Sequence, residues 1–305
     1  MIEAWVIGLR AVQYVAAALL FGLPAFLLYS ARATGPLPLA WPRPALFWAA
    51  VTLALAAPAA LVAQTAMMAG SLSEAIKPGS LGMMVTGMGL GMALAVRSAI
   101  ALLAVAAIAM IGPGPRLWWV CATLGLVVSA SFAWTGHGAA TEGSGHGIHL
   151  ASDILHALSA SLWVGALAAL AALVVWRPKE PSAQDRALAR ALAGFASVGT
   201  FAVAVLLLTG LVNSAFLVGW SGLWTLPNTA YGRWLILKIV LFGLMLSLAA
   251  VNRFGLTPAF EATGVGSRPV LGHLRRSLVV EFALSLAILT IVAVMGTLAP
   301  PASLL

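Results

Sequence analysis

Residues 135–165 read TGHGAATEGSGHGIHLASDILHALSASLWVG. The stretch opens at the end of one apolar run and closes inside the next. From Ala157 onward the chain continues ALSASLWVGALAALAALVVW without a single charge. A polar, glycine-rich mouth feeding an uncharged run of this length is the signature of a membrane span, which needs ~20 apolar residues. Four of the five histidines lie in the stretch, at His137, His146, His149 and His156, with Asp153 between the last two, and it holds no lysine or arginine. Imidazoles gathered where no cation competes point to a metal.

The rest of the chain fits the same class. Of 305 residues, 62% are hydrophobic and only 8% charged, and the mean hydropathy is +1.04; a soluble domain carries about 25% charged residues. The apolar runs are long and continuous rather than alternating over ~10 residues, which favours helices over a barrel. Eight runs qualify as spans, roughly 4–29, 45–68, 82–111, 117–136, 149–175, 190–213, 231–251 and 277–299. Pro- and Gly-rich gaps punctuate them, and Pro24 and Pro58 inside spans predict local kinks. The fold class is therefore all-α, a polytopic membrane protein of about eight transmembrane helices, read as one membrane domain over residues 1–305. The first run is too long for a cleaved signal peptide and lacks a small-residue cleavage site. The lone Cys121 sits in an apolar run and reads as packing, with no internal disulfide.

The net charge of +8 implies no nucleic-acid partner, because basic residues of membrane proteins mostly set orientation. With the amino terminus outward, the inward loops hold Arg32, Arg43, Arg116, Arg177, Lys179, Arg186, Arg190, Arg253, Arg268, Arg275 and Arg276, and the outward loops hold only Lys77. This places the His137–His149 loop outside, in the periplasm of a Gram-negative cell, with Trp220 and Trp224 at the same interface. Arg10, Arg97, Arg233, Lys238, Asp153 and Glu281 fall in or at the edge of spans. Each such charge either snorkels to an interface or marks a functional site; Arg233 suits the first description. Lys238 and Asp153 both lie in the outward halves of their spans and are candidates to pair.

His149, Asp153 and His156 recur at i, i+4 and i+7, which puts them on one helix face. His146 lies one turn earlier, and the flexible glycine-rich loop lets His137 fold over the same mouth. Imidazoles one turn apart can chelate a metal together, and imidazole suits copper and zinc. Asp153 is either a ligand or the acceptor that orients an imidazole. Met84, Met88 and Met92, spaced by four and expected on one helix face near the start of the third span, add thioethers that prefer Cu(I); methionine is equally a packing residue. Histidine plus methionine ranks copper, as Cu(I) or Cu(II), ahead of zinc or iron. His273 reads as a solvated loop residue.

The run HLASDILHALSASLWVGAL, with its Trp163–Gly165 step, resembles the signature of the CopD (PcoD) family of bacterial copper-resistance inner-membrane proteins. YGRWLILKIVLFGLMLSLAAVNRF, residues 231–254, is similar to that family's Tyr-Gly-Arg…Lys helix with Asn-Arg near its inner end, and Glu281 and Pro300–Pro301 also fit. The resemblance implies eight spans and copper movement at the inner membrane, in the direction of uptake from the periplasm. It also implies a periplasmic CopC-like copper-binding protein as a separate partner, since the outer loops are too short to hold such a domain. On this reading Lys238, Glu281 and Arg97 are buried gating charges, and membrane lipid is the surrounding partner. Two other readings stay open here: a haem-binding membrane electron carrier with His156 as one axial ligand, and a copper-handling assembly factor without transport. No nucleophile–base–acid arrangement points to an enzyme, and no P-loop supplies ATP.

Overall fold

A backbone inside a bilayer must satisfy its own N–H and C=O groups, so runs of this length fold as helices. The structure, a computed structural model, describes residues 2–34, 39–136, 141, 143–176, 183–262 and 268–304. In chain order the helices are α1 (Ile2–Thr34), α2 (Pro42–Ala69), α3 (Leu72–Ala75), α4 (Pro78–Gly87), α5 (Gly89–Met110), α6 (Pro115–Ala130), α7 (His146–Val175), α8 (Ala183–Leu217), α9 (Gly219–Gly222), α10 (Ala230–Val251), α11 (Thr257–Ala262) and α12 (Arg268–Met295). No strand occurs among the described residues. Among the described residues eight segments are long and apolar enough to cross a membrane: Ile2–Ser30, Pro42–Ala69, Gly89–Met110, Pro115–Trp134, His146–Val175, Gly194–Leu217, Ala230–Ala259 and Pro269–Met295. The chain is an all-α polytopic membrane protein with these eight spans.

Punctuation matches the sequence where it has a physical cause. Pro42, Pro78 and Pro115 stand in the first turns of α2, α4 and α6, where the missing N–H costs nothing. Thr229 caps α10 by accepting from the Gly232 N–H, satisfying an orphan donor of the first turn. α1 and α2 continue through Pro24 and Pro58.

Three boundaries depart from expectation. The run 82–111 is not one helix: Met88 is extended, at φ −134° and ψ 132°, and separates α4 from α5. Met84, Met88 and Met92 therefore do not share a helix face. The flanking glycines lower the cost of that break. The seventh span does not end at residue 251; it continues through a π-helical turn, Asn252–Leu256, into α11. The eighth begins at Arg268, so His273 is helical rather than in a loop. It is exposed, with its Nδ1 3.0 Å from the Pro269 carbonyl.

The core is built around α1, which packs against α2, α6, α7, α8 and α12. Backbone meets backbone where it crosses α7. A methyl group on Gly22 would overlap the Ser161 carbonyl oxygen and the Gly165 Cα, and one on Gly165 would overlap the Gly22 Cα. Around that crossing Leu20, Leu23, Phe26, Leu53, Trp163, Leu167 and Leu170 form a continuous buried cluster. α7 is the most enclosed span and α10 the least. Cys121 is buried with a free thiol, as packing requires.

Candidate metal centre

α7 begins at His146, so the expected helix face exists, and each residue on it is held by a named partner. The His146 Nδ1 lies 2.9 Å from the Thr141 carbonyl oxygen. A carbonyl only accepts, so Nδ1 carries the proton and Nε2 keeps its lone pair. His149 is fully buried. Its Nδ1 lies 2.6 Å from the Thr141 hydroxyl, and its ring stacks on Phe216 with centroids 4.7 Å apart and planes at 5°. Asp153 accepts from the Asn213 Nδ2 at 2.7 Å. One turn deeper, the His156 Nδ1 lies 2.9 Å from the Thr209 Oγ1. That hydroxyl donates its own proton to the Val205 carbonyl at 2.6 Å, so it must accept from His156. His156 is thereby fixed as the Nδ1–H tautomer, with the Nε2 lone pair available.

Apart from Thr141, the partners come from α8 in antiparallel register. Reading α7 back from His156 through Asp153 to His149 meets Thr209, Asn213 and Phe216 in ascending order. Ser152 adds a bond to the Thr209 carbonyl at 3.1 Å. α10 brings one charge near this face. Its half-buried Lys238 lies within electrostatic range of Asp153 and of His156. Asp153 also faces Gly136, where a side chain would meet its Oδ2 at 3.7 Å. His137 itself lies outside the described residues. Among the described residues no three His, Cys, Asp or Glu side chains converge into a metal-holding group. The face offers single nitrogens in sequence along the helix.

The remaining candidates fall elsewhere. Met84 is buried, whereas Met88 and Met92 are exposed; the adjoining Gly89 lies at 3.4 Å from the Trp134 ring by its projected Cβ, so this junction sits at the same end of the bundle as Thr135. Arg97 is buried against Phe132, its guanidinium carbon 3.9 Å from the ring centroid. It donates to Gln13 at 2.6 Å, Ser131 at 3.0 Å and Thr135 at 3.5 Å. Arg233 is exposed, as a snorkelling residue is. Glu281 is buried near the opposite end. It accepts from Asn252 in the π-helical turn and from Ser277 at 3.4 Å, and it lines a cavity of about 280 Å³ with Trp163, Phe195, Leu246, Asn252 and Arg253. Glu281 and Lys238 therefore belong to two separate polar clusters.

Two family models match the sequence: copper resistance protein D-like, N-terminal domain, over residues 1–148, and copper resistance protein D over residues 189–295. Copper resistance protein D of Pseudomonas syringae pv. tomato is 37% identical over 306 residues, covering 96% of each chain. The chain belongs to the copper resistance protein D family. Copper transport protein CutJ of Bacillus subtilis is 36% identical over 58% of this chain and 29% of its own length. Inner membrane protein YebZ of Escherichia coli is 28% identical over 61% of this chain and 60% of its own. No solved structure matches. His149, Asp153 and His156 lie between the two matched regions.

Sequence reading missed Thr141, Thr209, Asn213 and Phe216, the residues that orient this face. A usable signal was present: Thr209 and Asn213 are one turn apart in an otherwise apolar run, mirroring the spacing of His156 and Asp153. Relatives named for copper resistance and copper transport support a copper-related membrane function.

Proposed function

We propose that the protein binds copper at the α7 histidines and carries it across the cytoplasmic membrane from the periplasmic side. One observation carries the reading: His156, inside a span, is held by Thr209 with its Nε2 lone pair unprotonated. Metal-ligating histidines characteristically donate the other ring N–H to such an oxygen partner. His146, held in the same tautomer by the Thr141 carbonyl, is the entry ligand one face higher. His137 and His149 complete capture at the mouth, with Asp153 as counter-charge. Met88 and Met92 offer thioethers for Cu(I) at the same end, and Met84 supports them from beneath. The ion passes Lys238 and leaves by the Glu281 side. The basic inward loops orient the histidine loop to the periplasm, where a CopC-like copper-binding protein is the donor.

The test is copper binding by detergent-purified protein, wild type beside His156→Ala, with reconstituted vesicles for uptake. Copper bound and taken up by wild type, and both lost in the variant, supports the reading. Unchanged binding and uptake in His156→Ala overturns the central site.

A further inference from the structure

Among the described residues, two buried arginines at the histidine end have no carboxylate within ion-pair distance. Arg10 is 8% exposed and Arg97 2%, and the two guanidiniums lie within electrostatic range of each other. Arginine keeps its charge in proteins. Among the described residues every partner they have is neutral. Arg97 uses Gln13, Ser131, Thr135 and the Phe132 ring. Arg10 donates Nη2 to the Thr135 carbonyl at 3.3 Å, while its Nη1 has no hydrogen-bond partner and rests where a methyl group on Gly296 would stand. Among the described acids nearby, Asp153 accepts from Asn213, Glu74 pairs with Lys77 and Glu3 is exposed. Two like charges in a span without a counter-ion cost several kcal/mol.

Between them opens a cavity of about 20 Å³, lined by Arg10, Gln13, Gln64, Leu94, Arg97 and Thr135. One water needs roughly 10–15 Å³ measured this way. The space is on the scale of a single small particle. We propose that this cavity is a chloride site, in which one halide neutralises Arg10 and Arg97. Thr135 is the link to function. It receives a bond from each arginine and stands two residues before His137, so chloride fixes the base of the histidine loop.

The test is equilibrium binding of radiolabelled chloride to the detergent-purified full chain in gluconate buffer. The expected result is one saturable chloride per chain, displaced by bromide and not by sulfate, and lost in Arg10→Met and in Arg97→Met. Arg97→Met also removes three hydrogen bonds. Leu94→Phe therefore fills the cavity while leaving both charges, and it too should abolish binding in a monodisperse protein. Absence of saturable chloride in wild type, displacement by sulfate, or full binding in folded Leu94→Phe overturns the site.

Discussion

At the scale of single residues, the chemistry of the candidate centre turns on which ring nitrogen carries a proton. Thr209 decides this for His156, because its hydroxyl is already spent on the Val205 carbonyl and can only accept. Removing the hydroxyl while keeping the shape isolates that role. Thr209→Val should leave the fold intact and weaken copper binding by about 10–100-fold, the usual cost of losing an oxygen that orients a metal-bound imidazole. Titration of purified protein against a competing copper chelator measures it, and an unchanged affinity would remove Thr209 from the site. The histidines and Asp153 were legible from spacing alone, since i, i+4 and i+7 can only mean one face of a helix. Their partners were not. Pairing His156 with Thr209 requires the register of two antiparallel spans, which single-chain periodicity does not encode.

At the scale of elements, the position of that face depends on how closely α7 lies on α1. The Gly22–Gly165 crossing lets backbones touch, the device by which small residues hold membrane helices together. Gly165→Ala puts a methyl group into the Gly22 Cα, and neither backbone can yield without displacing the buried cluster around it. We expect a loss of about 1–3 kcal/mol, typical of overpacking, seen as a lower unfolding temperature in detergent. Gly243→Ala, where a Cβ meets nothing within 4 Å, should be neutral. Equal stability of the two variants would show that the crossing is slack. The existence of such elements was readable because an uncharged run of about 20 residues has one home. Their interruptions were hidden, because hydropathy stays high through GMGLGM, and because Asn252–Arg253 reads as the end of a span and not as a π-helical turn that carries it on. Only tertiary contact distinguishes a break at Met88 from a continuous helix there.

At the scale of the whole molecule, the polar groups divide into two clusters at opposite ends of an apolar bundle. The histidine end gathers His146, His149, Asp153, His156 and Lys238 from α7 and α10. The other end holds Glu281, Ser277 and Asn252 beside the 280 Å³ cavity. On the proposed route, an ion bound at His156 lies within electrostatic range of the Lys238 ammonium. That ammonium repels a copper ion and is itself balanced by Asp153. Removing it leaves Asp153 as an uncompensated anion beside the bound metal, which deepens the capture site and stalls the ion there. Lys238→Met should therefore retain or tighten copper binding in detergent while reducing uptake into reconstituted vesicles. The diagnostic is the ratio of the two measurements on one preparation. If binding and uptake fall together, Lys238 supports the capture site. If neither changes, the ion follows a route that does not pass α10, and the exposed methionines at the α4–α5 junction become the place to look for it.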